Sequence, residues 1–474
     1  MSQKRCSKPS PAPLPEGTPD GERVIGEIEP FLLELIGTLA PEVTAAEVHG
    51  PGSASRILPA MLLWSGLLVC ILRGFRTQLA LWRLLTTQGL WGHPPVTLSD
   101  EAVYKRLSTG GTHMLERLFA QVSDVLRERL GPYAQTALAP FATEVFALDE
   151  TTLDKVARML PALRGVAPGD SRLLPGKLSG LFDVRRQQWR RVEYQPDPHQ
   201  NEKVAARRML DGLERGALIL ADLGYFGFRW FDDLTDRGFF WVSRLRAKTS
   251  YTVVHVHYHR GETLDALVWL GAYRADRAKH LARLVQFQVG PTTFRYVTSI
   301  CDPKVLPMAE IARLYARRWD IELAFKTAKV QLGLGLVWSA RTVVILQQVW
   351  AVLILAQIVQ ALRLEIAGQA GVDPFEVSLP LLIEYLPFFA SFGHDPLQSF
   401  LRDGRRVRFI RPSSRTRIAA PLIALDQLVA PPKDLVRVRE PRYADKQGEH
   451  PRPPRLVLVP LSIPASVLSD RLCS

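Results

Sequence analysis

The stretch LYARRWDIELAFKTAKVQLGL, Leu314–Leu334, has the periodicity of a helix. At about 100° per residue, Leu314, Ile321, Phe325, Ala328 and Leu332 fall in one apolar stripe. Beside it Tyr315, Arg318, Glu322 and Lys329 form a polar row, within roughly 60° of one another on the helix circumference. Taken alone, such a row is accounted for by a solvated face with an i,i+4 pair between Arg318 and Glu322. Two carboxylates elsewhere in the chain weigh against that account.

Upstream, EVFALDE is a short apolar run that ends in Asp149, and ALILADLGYFG is a second one that delivers Asp222. An aspartate at the end of a buried strand is costly unless a cap, an arginine or a cation pairs with it. Glu322 follows at the edge of the apolar stripe of the quoted helix. Three converging carboxylates could hold two hard divalent cations, which prefer oxygen ligands. Such a pair, about 3.5–4 Å apart, activates a water or a 3′-hydroxyl and stabilises the leaving oxygen of a phosphodiester displacement.

The charge balance points the same way. The chain of 474 residues carries a net charge of +13 with 47% apolar residues, and a basic excess of that size suggests a polyanionic partner. Cys6, Cys70, Cys301 and Cys473 show no C-x-x-C spacing, so neither a disulfide framework nor a zinc site is expected, and a reducing cytosol is. A membrane role is not expected. Ile57–Leu72 is shorter than the roughly 20 residues that a bilayer demands. Val343–Leu362 is long enough but carries Gln347, Gln348, Gln357 and Gln360, whose amides would lie unsatisfied in lipid. The N-terminal SPAPLPEGTPDGE is proline-rich and polar, with no signal peptide, and reads as disordered.

Residues 1–21 are thus expected to be a disordered tail, and 22–140 a helical N-terminal domain, either a DNA-binding module or plain helical packing, with no sharp helix-turn-helix signature. In that domain FRTQLALWRLLT reads as one helix, TLSDEAVYKRL opens with a Thr97/Asp100 capping pattern, and Leu115 to Leu130 keep amphipathic spacing. From about 141 to 245 the pattern is α/β: KLSGLFDVRRQQWRRVEYQ reads as a hairpin, NEKVAARRMLDGLERG and FRWFDDLTDRG as helices, and FFWVSRLR as a strand. Residues 246–300 read as β-rich, with a hairpin turning at Gly290-Pro291. Beyond 366 the chain to 474 is proline-punctuated, a C-terminal region open to DNA or subunit contacts.

With these residues in view, the sequence resembles the DDE transposases of the insertion-sequence-four type. Tyr315, Arg318, Glu322 and Lys329 match that family's Y-x2-R-x3-E-x6-K signature at every spacing. ALDETT at Asp149 and LADLGYFG at Asp222 resemble the blocks that carry its two catalytic aspartates, and VSRLRA, YVTSICDP and YARRWDIELAFKTAK follow in the family's order. The resemblance runs from about 140 to 365. It implies an α/β fold with an RNase H-like catalytic core over 141–365, interrupted by the β-rich insertion and preceded by the all-α domain. It implies Asp149, Asp222 and Glu322 as catalytic metal ligands for two Mg²⁺ or Mn²⁺ ions, with Tyr315, Arg318 and Lys329 gripping DNA phosphates. Arg244 stands where a related transposase has a DNA-contacting arginine, and Phe294 where it has a tryptophan that stacks on a flipped base. Double-stranded transposon ends and target DNA are the implied partners of a homodimeric synaptic complex, in the bacterial cytoplasm at the nucleoid. A hairpin intermediate is suggested by the resemblance without being established by it. A nuclease of the same fold that cuts without joining, and a decayed or domesticated DNA-binding relative, are the alternatives.

Other features read as structural. His255, His257 and His259 alternate on one strand face without a partner at zinc-ligand spacing, so a plain polar face is expected. Asp154 and Asp183 compete with Asp149 and Asp222, but Asp183 has no buried run before it. Arg402 to Arg417 holds seven arginines against Asp403, a solvated loop or a phosphate contact.

Overall fold

The computed structural model describes residues 58–439 and 456–458, apart from 76, 91–93, 154–163, 168–175, 198, 272–276, 333–338, 340, 392–393, 414–417, 434 and 436. The expected disordered tail, Asp154, and two of the arginines of the 402–417 stretch lie outside the described residues.

Among the described residues four helices come first: α1 (Ala60–Leu72), α2 (Gln78–Arg83), α3 (Asp100–Thr109) and α4 (His113–Arg129). The FRTQLALWRLLT helix is α2 running into a π-turn, Leu84–Gln88. Ser99, not Thr97, caps α3: its hydroxyl accepts from the Ala102 N–H at 3.2 Å, the geometry that satisfies an orphan donor of the first turn. On α4 the amphipathic residues are buried except Val125.

The strands then follow: β1 (Val145–Thr152), β2 (Lys177–Asp183), β3 (Gln188–Gln195), α5 (Glu202–Met209), β4 (Leu218–Ala221), α6 (Phe228–Asp236) and β5 (Phe240–Arg244). Next come β6 (Tyr251–Arg260), β7 (Thr263–Leu270), β8 (Ala282–Val289) and β9 (Thr292–Thr298). All nine form one mixed sheet in the order β3-β2-β1-β4-β5-β9-β8-β7-β6. β2 and β3 run antiparallel beside β1, while β1, β4 and β5 are mutually parallel. β9 joins β5 antiparallel and closes the β-rich segment onto the sheet.

Both faces of the central strands are covered, which is why β1 and β4 read as continuous apolar runs rather than alternating ones. Leu218, Leu220 and Val242 face one core; Phe146, Leu148 and Ile219 face the other, beneath α5 and α6. The first core continues into α7 (Met308–Arg317), α8 (Trp319–Lys326) and the 29-residue α9 (Thr342–Ala370). α9 is long and apolar enough to cross a membrane by length and composition, but 83% of its apolar window is buried in the fold. It packs on α1 and α4. Its glutamines act as ties: Gln347 Nε2 donates to the Leu107 and Gly111 carbonyls at 2.9 Å, and Gln357 Nε2 to the Ser123 hydroxyl at 2.8 Å. α10 (Leu379–Ser391) and α11 (Pro396–Asp403) pack against its far end.

The histidines of β6 depart from the expected polar face. His255 Nε2 and His257 Nδ1 both meet the Val429 carbonyl at 2.9 Å, and the Val429 N–H donates back to the His257 carbonyl at 2.8 Å. They pin the C-terminal segment to the exposed edge of the sheet. Asp183 organises its hairpin turn, accepting from the Arg185 and Arg186 N–H groups and pairing with the Arg186 guanidinium.

Candidate active site

Leu148 is paired with Ala221 across the parallel β1–β4 ladder. The next residue after each is an aspartate, so Asp149, within β1, and Asp222, just past β4, emerge side by side where the parallel β1–β4 ladder ends, toward the carboxyl ends of the strands, where open α/β sheets place their ligands. Asp149 is the more enclosed, its side chain 20% exposed against 44% for Asp222. Burial pushes the Asp149 carboxyl up to about 7, against the opposing pull of the Glu150 N–H, which donates to Oδ1 at 2.8 Å, and of the Arg318 charge.

The third carboxylate arrives on α8, which continues the path of α7. α7 ends at Arg317, Arg318 keeps helical dihedrals (φ −54°, ψ −33°), and α8 runs on into a π-turn at Thr327–Gln331. Leu314, Ile321, Phe325, Ala328 and Leu332 are all buried, as the stripe read from the sequence requires. Arg317 anchors the junction. Its Nε pairs with Asp320 at 2.7 Å, its Nη1 donates to Gln135 Oε1 at 2.7 Å and its Nη2 to the Val184 carbonyl at 3.3 Å. Gln187 donates to the same Asp320 oxygen at 2.9 Å. One turn beyond Glu322, Phe325 packs on Trp189 with ring centroids 4.5 Å apart. Gly180 makes room for both rings: a Cβ there would lie 2.6 Å from Trp189 and 3.1 Å from Phe325. The β2–β3 hairpin thus seats the glutamate helix over β1.

At the centre of the three carboxylates stands Arg318, 4% exposed. Its Nη2 donates to Glu322 Oε1 at 2.6 Å; Nη1 is 3.8 Å from Asp149 Oδ2 and Nε 3.8 Å from Asp222 Oδ1. Burial alone would lower the guanidinium's pKa, but Asp222 first, then Tyr315 and Glu322, raise it on balance. Sequence spacing predicts the Arg318–Glu322 pair; it does not predict that the pair is enclosed with two aspartates from the sheet.

The other residues singled out from the sequence divide into two groups. Lys329 is brought to the site. Its ammonium reaches the Thr151 hydroxyl and the Thr152 carbonyl, at the end of β1. Arg244 is brought to its edge, with the guanidinium 5.5 Å from the Tyr315 ring centroid. Tyr315 itself is buried, with its hydroxyl donating to the Ala221 carbonyl at 3.5 Å, and burial pushes its pKa up to about 12. It underlies the site rather than facing outward to a phosphate. Phe294 packs against Phe287, ring centroids 5.5 Å apart, and near Tyr296; it sits in the β8–β9 hairpin and makes no described contact with the carboxylates. Sequence reasoning missed the polar group behind Asp149. There Glu150 pairs with Lys177 and accepts from the Ser179 hydroxyl at 2.5 Å. Strand alternation puts Glu150 on the face opposite Asp149, but nothing in the sequence names Lys177 as its partner.

Residues 173–358 match the family model described as a transposase DDE domain. The transposase for insertion sequence element IS231F of Bacillus thuringiensis subsp. israelensis is 22% identical over 49% of this chain and 59% of its own length. That for IS231B of Bacillus thuringiensis subsp. berliner is 24% identical over the same shares. These matches show that the middle of the chain is similar to a transposase DDE domain and to the two IS231 transposases. It spans 59% of the length of those curated relatives. A solved piggyBac transposase synaptic complex with hairpin DNA is similar at a TM-score of 0.40 and 11% identity, over 84% of this chain and 87% of that one, a likeness too loose to build on.

Divalent-metal dependence is general to DDE transposases, whose domain residues 173–358 resemble, and the donor chemistry here fits it. Three carboxylates converge on one centre of positive charge, the oxygen-rich setting that Mg²⁺ and Mn²⁺ prefer. With the guanidinium between them, no three acidic, histidine or cysteine side chains among the described residues stand close enough to ligate one ion. The donors are right in kind, and Arg318 stands among them.

Proposed function

We propose that this chain is a cut-and-paste DNA transposase: it binds the double-stranded ends of a mobile element, cleaves them hydrolytically and joins them to target DNA by transesterification. The observation that carries this is the register of β1 and β4, which sets Asp149 beside Asp222 with Glu322 packed across from them. The sheet order β3-β2-β1-β4-β5, antiparallel then parallel, supports an RNase H-like core. In that reading the domains are a helical DNA-binding unit at 22–140, the catalytic core at 141–365 and a C-terminal region at 366–474, working as a homodimer on paired ends.

Asp149, Asp222 and Glu322 would hold two Mg²⁺ or Mn²⁺ ions. Such ions, when bound, make a water or 3′-hydroxyl nucleophilic at neutral pH and offset charge on the phosphate oxygens. The chain's own residues do the positioning. Glu322 is fixed by Phe325 and the Arg317–Asp320 seat. Lys329 is held at the lip of β1, where its ammonium can clamp a phosphate. Arg318 and Arg244 supply guanidinium groups suited to phosphate contacts. Pre-cleaved, 3′-hydroxyl-bearing ends incubated with the protein, a supercoiled target and Mg²⁺ should give joined products. Cleavage of ends without any joining would instead identify a nuclease of the same fold.

The arginine-rich stretch is the second expected grip. Arg402 and Arg406 pair with Asp403, while Arg405 and Arg408 are exposed. Changing Arg405, Arg406 and Arg408 together to alanine should weaken DNA binding. It should also flatten the slope of log affinity against log salt by roughly 0.9 for each phosphate that is no longer neutralised. An unchanged slope would make the stretch a solvated loop.

A further inference from the structure

Arg318 is an odd occupant for the place where it sits. A guanidinium has five donors, yet only the Nη2 hydrogen bond to Glu322 is made; Nε and Nη1 are buried with no hydrogen-bond partner. Their aspartate oxygens lie at 3.8 Å, beyond hydrogen-bond length. A buried arginine with a purely structural role is normally satisfied, as Arg283 is: it makes two hydrogen bonds to Asp265, at 2.7 and 2.6 Å, and a third to the Leu306 carbonyl at 2.6 Å. Arg318 is held by the charge of three carboxylates more than by fit. It also lies close to the surface: its guanidinium is 5.3 Å from the ring centroid of Trp319, which is 52% exposed.

We propose that Arg318 is an internal stand-in for the metal: in the DNA-free protein its guanidinium neutralises Asp149, Asp222 and Glu322, and it must swing out past Trp319 before divalent cations can bind. This rests on the reading of those three residues as metal ligands. The displaced guanidinium is then available to a DNA phosphate, so that binding of cation and binding of DNA favour one another. Both draw on the same displacement, and such coupling is reciprocal. Without DNA the carboxylates stay masked and cation affinity stays low, which restrains cleavage until an end is bound.

The test is Mn²⁺ affinity, measured calorimetrically or by electron paramagnetic resonance on the full chain without DNA at fixed pH and salt. Arg318→Gln should bind Mn²⁺ about tenfold or more tightly than wild type, because it removes a charge about 4 Å from the ligands in a poorly screened setting. Lys329→Gln removes an equal charge from the lip of β1 without vacating the space between the carboxylates, and should shift the affinity much less. Equal affinity for wild type and Arg318→Gln, or an equal gain from Lys329→Gln, overturns the proposal. Glu322→Gln separates the two levels. If it lowers Mn²⁺ affinity while Arg318→Gln changes nothing, the metal ligands stand and the stand-in falls. If Glu322→Gln also changes nothing, the ligand assignment falls with it. Should Arg318→Gln fail to fold, Ca²⁺ titration of the wild type against Trp319→Phe serves instead. The Trp319 share of the fluorescence should change with the midpoint of Ca²⁺ binding, and a silent Trp319 overturns the proposal.

Discussion

Glu322→Gln should retain binding to element ends while cleavage falls by several orders of magnitude. The substitution keeps the length and helix propensity of the side chain and can still accept from Arg318, so α8 should remain seated on Trp189 and Gly180. What is removed is the charge that a divalent cation needs, and stabilisation of developing charge is usually the largest catalytic effect. End binding should hold or tighten slightly, since one carboxylate near the phosphates is gone. If the residue were only half of a surface ion pair, the loss would be about 0.3–0.5 kcal/mol of stability with cleavage intact. Single-turnover cleavage of an end-bearing duplex, run beside a gel shift, decides. Near-wild-type cleavage by Glu322→Gln would defeat the assignment of all three carboxylates.

Chelation should act as strongly. EDTA is expected to abolish cleavage, Mg²⁺ or Mn²⁺ to restore it, and Zn²⁺ to leave it low, because the donors are all carboxylate oxygens rather than imidazole or thiolate. End binding should weaken in EDTA by the coupling through Arg318 but persist, since the remaining cationic groups that meet phosphate belong to the protein. Full nicking in EDTA would exclude metal-assisted chemistry at this site. Loss of binding together with cleavage would instead indicate that the cations hold the DNA as well as acting on it.

The parts of the site that follow local rules were legible in the sequence. Two apolar runs ending in aspartate gave β1 and β4, and the stripe Leu314, Ile321, Phe325, Ala328 gave the buried face of the glutamate helix. What anchors the helix at Arg317 was not legible, because it is tertiary: besides Asp320 three residues on, Arg317 meets Gln135 and the Val184 carbonyl, both more than a hundred residues away in the chain. Tyr315 shows the same limit. Its place in the row suggested an outward hydroxyl, but the row faces the sheet at that end, so the ring is buried against Tyr296, centroids 5.2 Å apart. The histidines of β6 were misjudged because their partner, Val429, belongs to a weakly patterned segment with no periodicity to place it.

The long helix α9 has a consequence in time. α1 and α4 are made early, yet the surface that covers Trp64, Leu68, Leu118 and Leu126 belongs to a helix that begins about 210 residues after α4 ends. At a synthesis rate of 5–20 residues per second, the nascent helices wait on the order of 10–40 s for their partner. Over that interval their apolar faces are open to chaperones or to one another. The sheet waits too, since β5 acquires its second neighbour only when β9 has emerged, and Glu322 comes later still. A chain interrupted before α8 has both aspartates and no glutamate, so on the proposed reading an unfinished copy would meet DNA without being able to cut it.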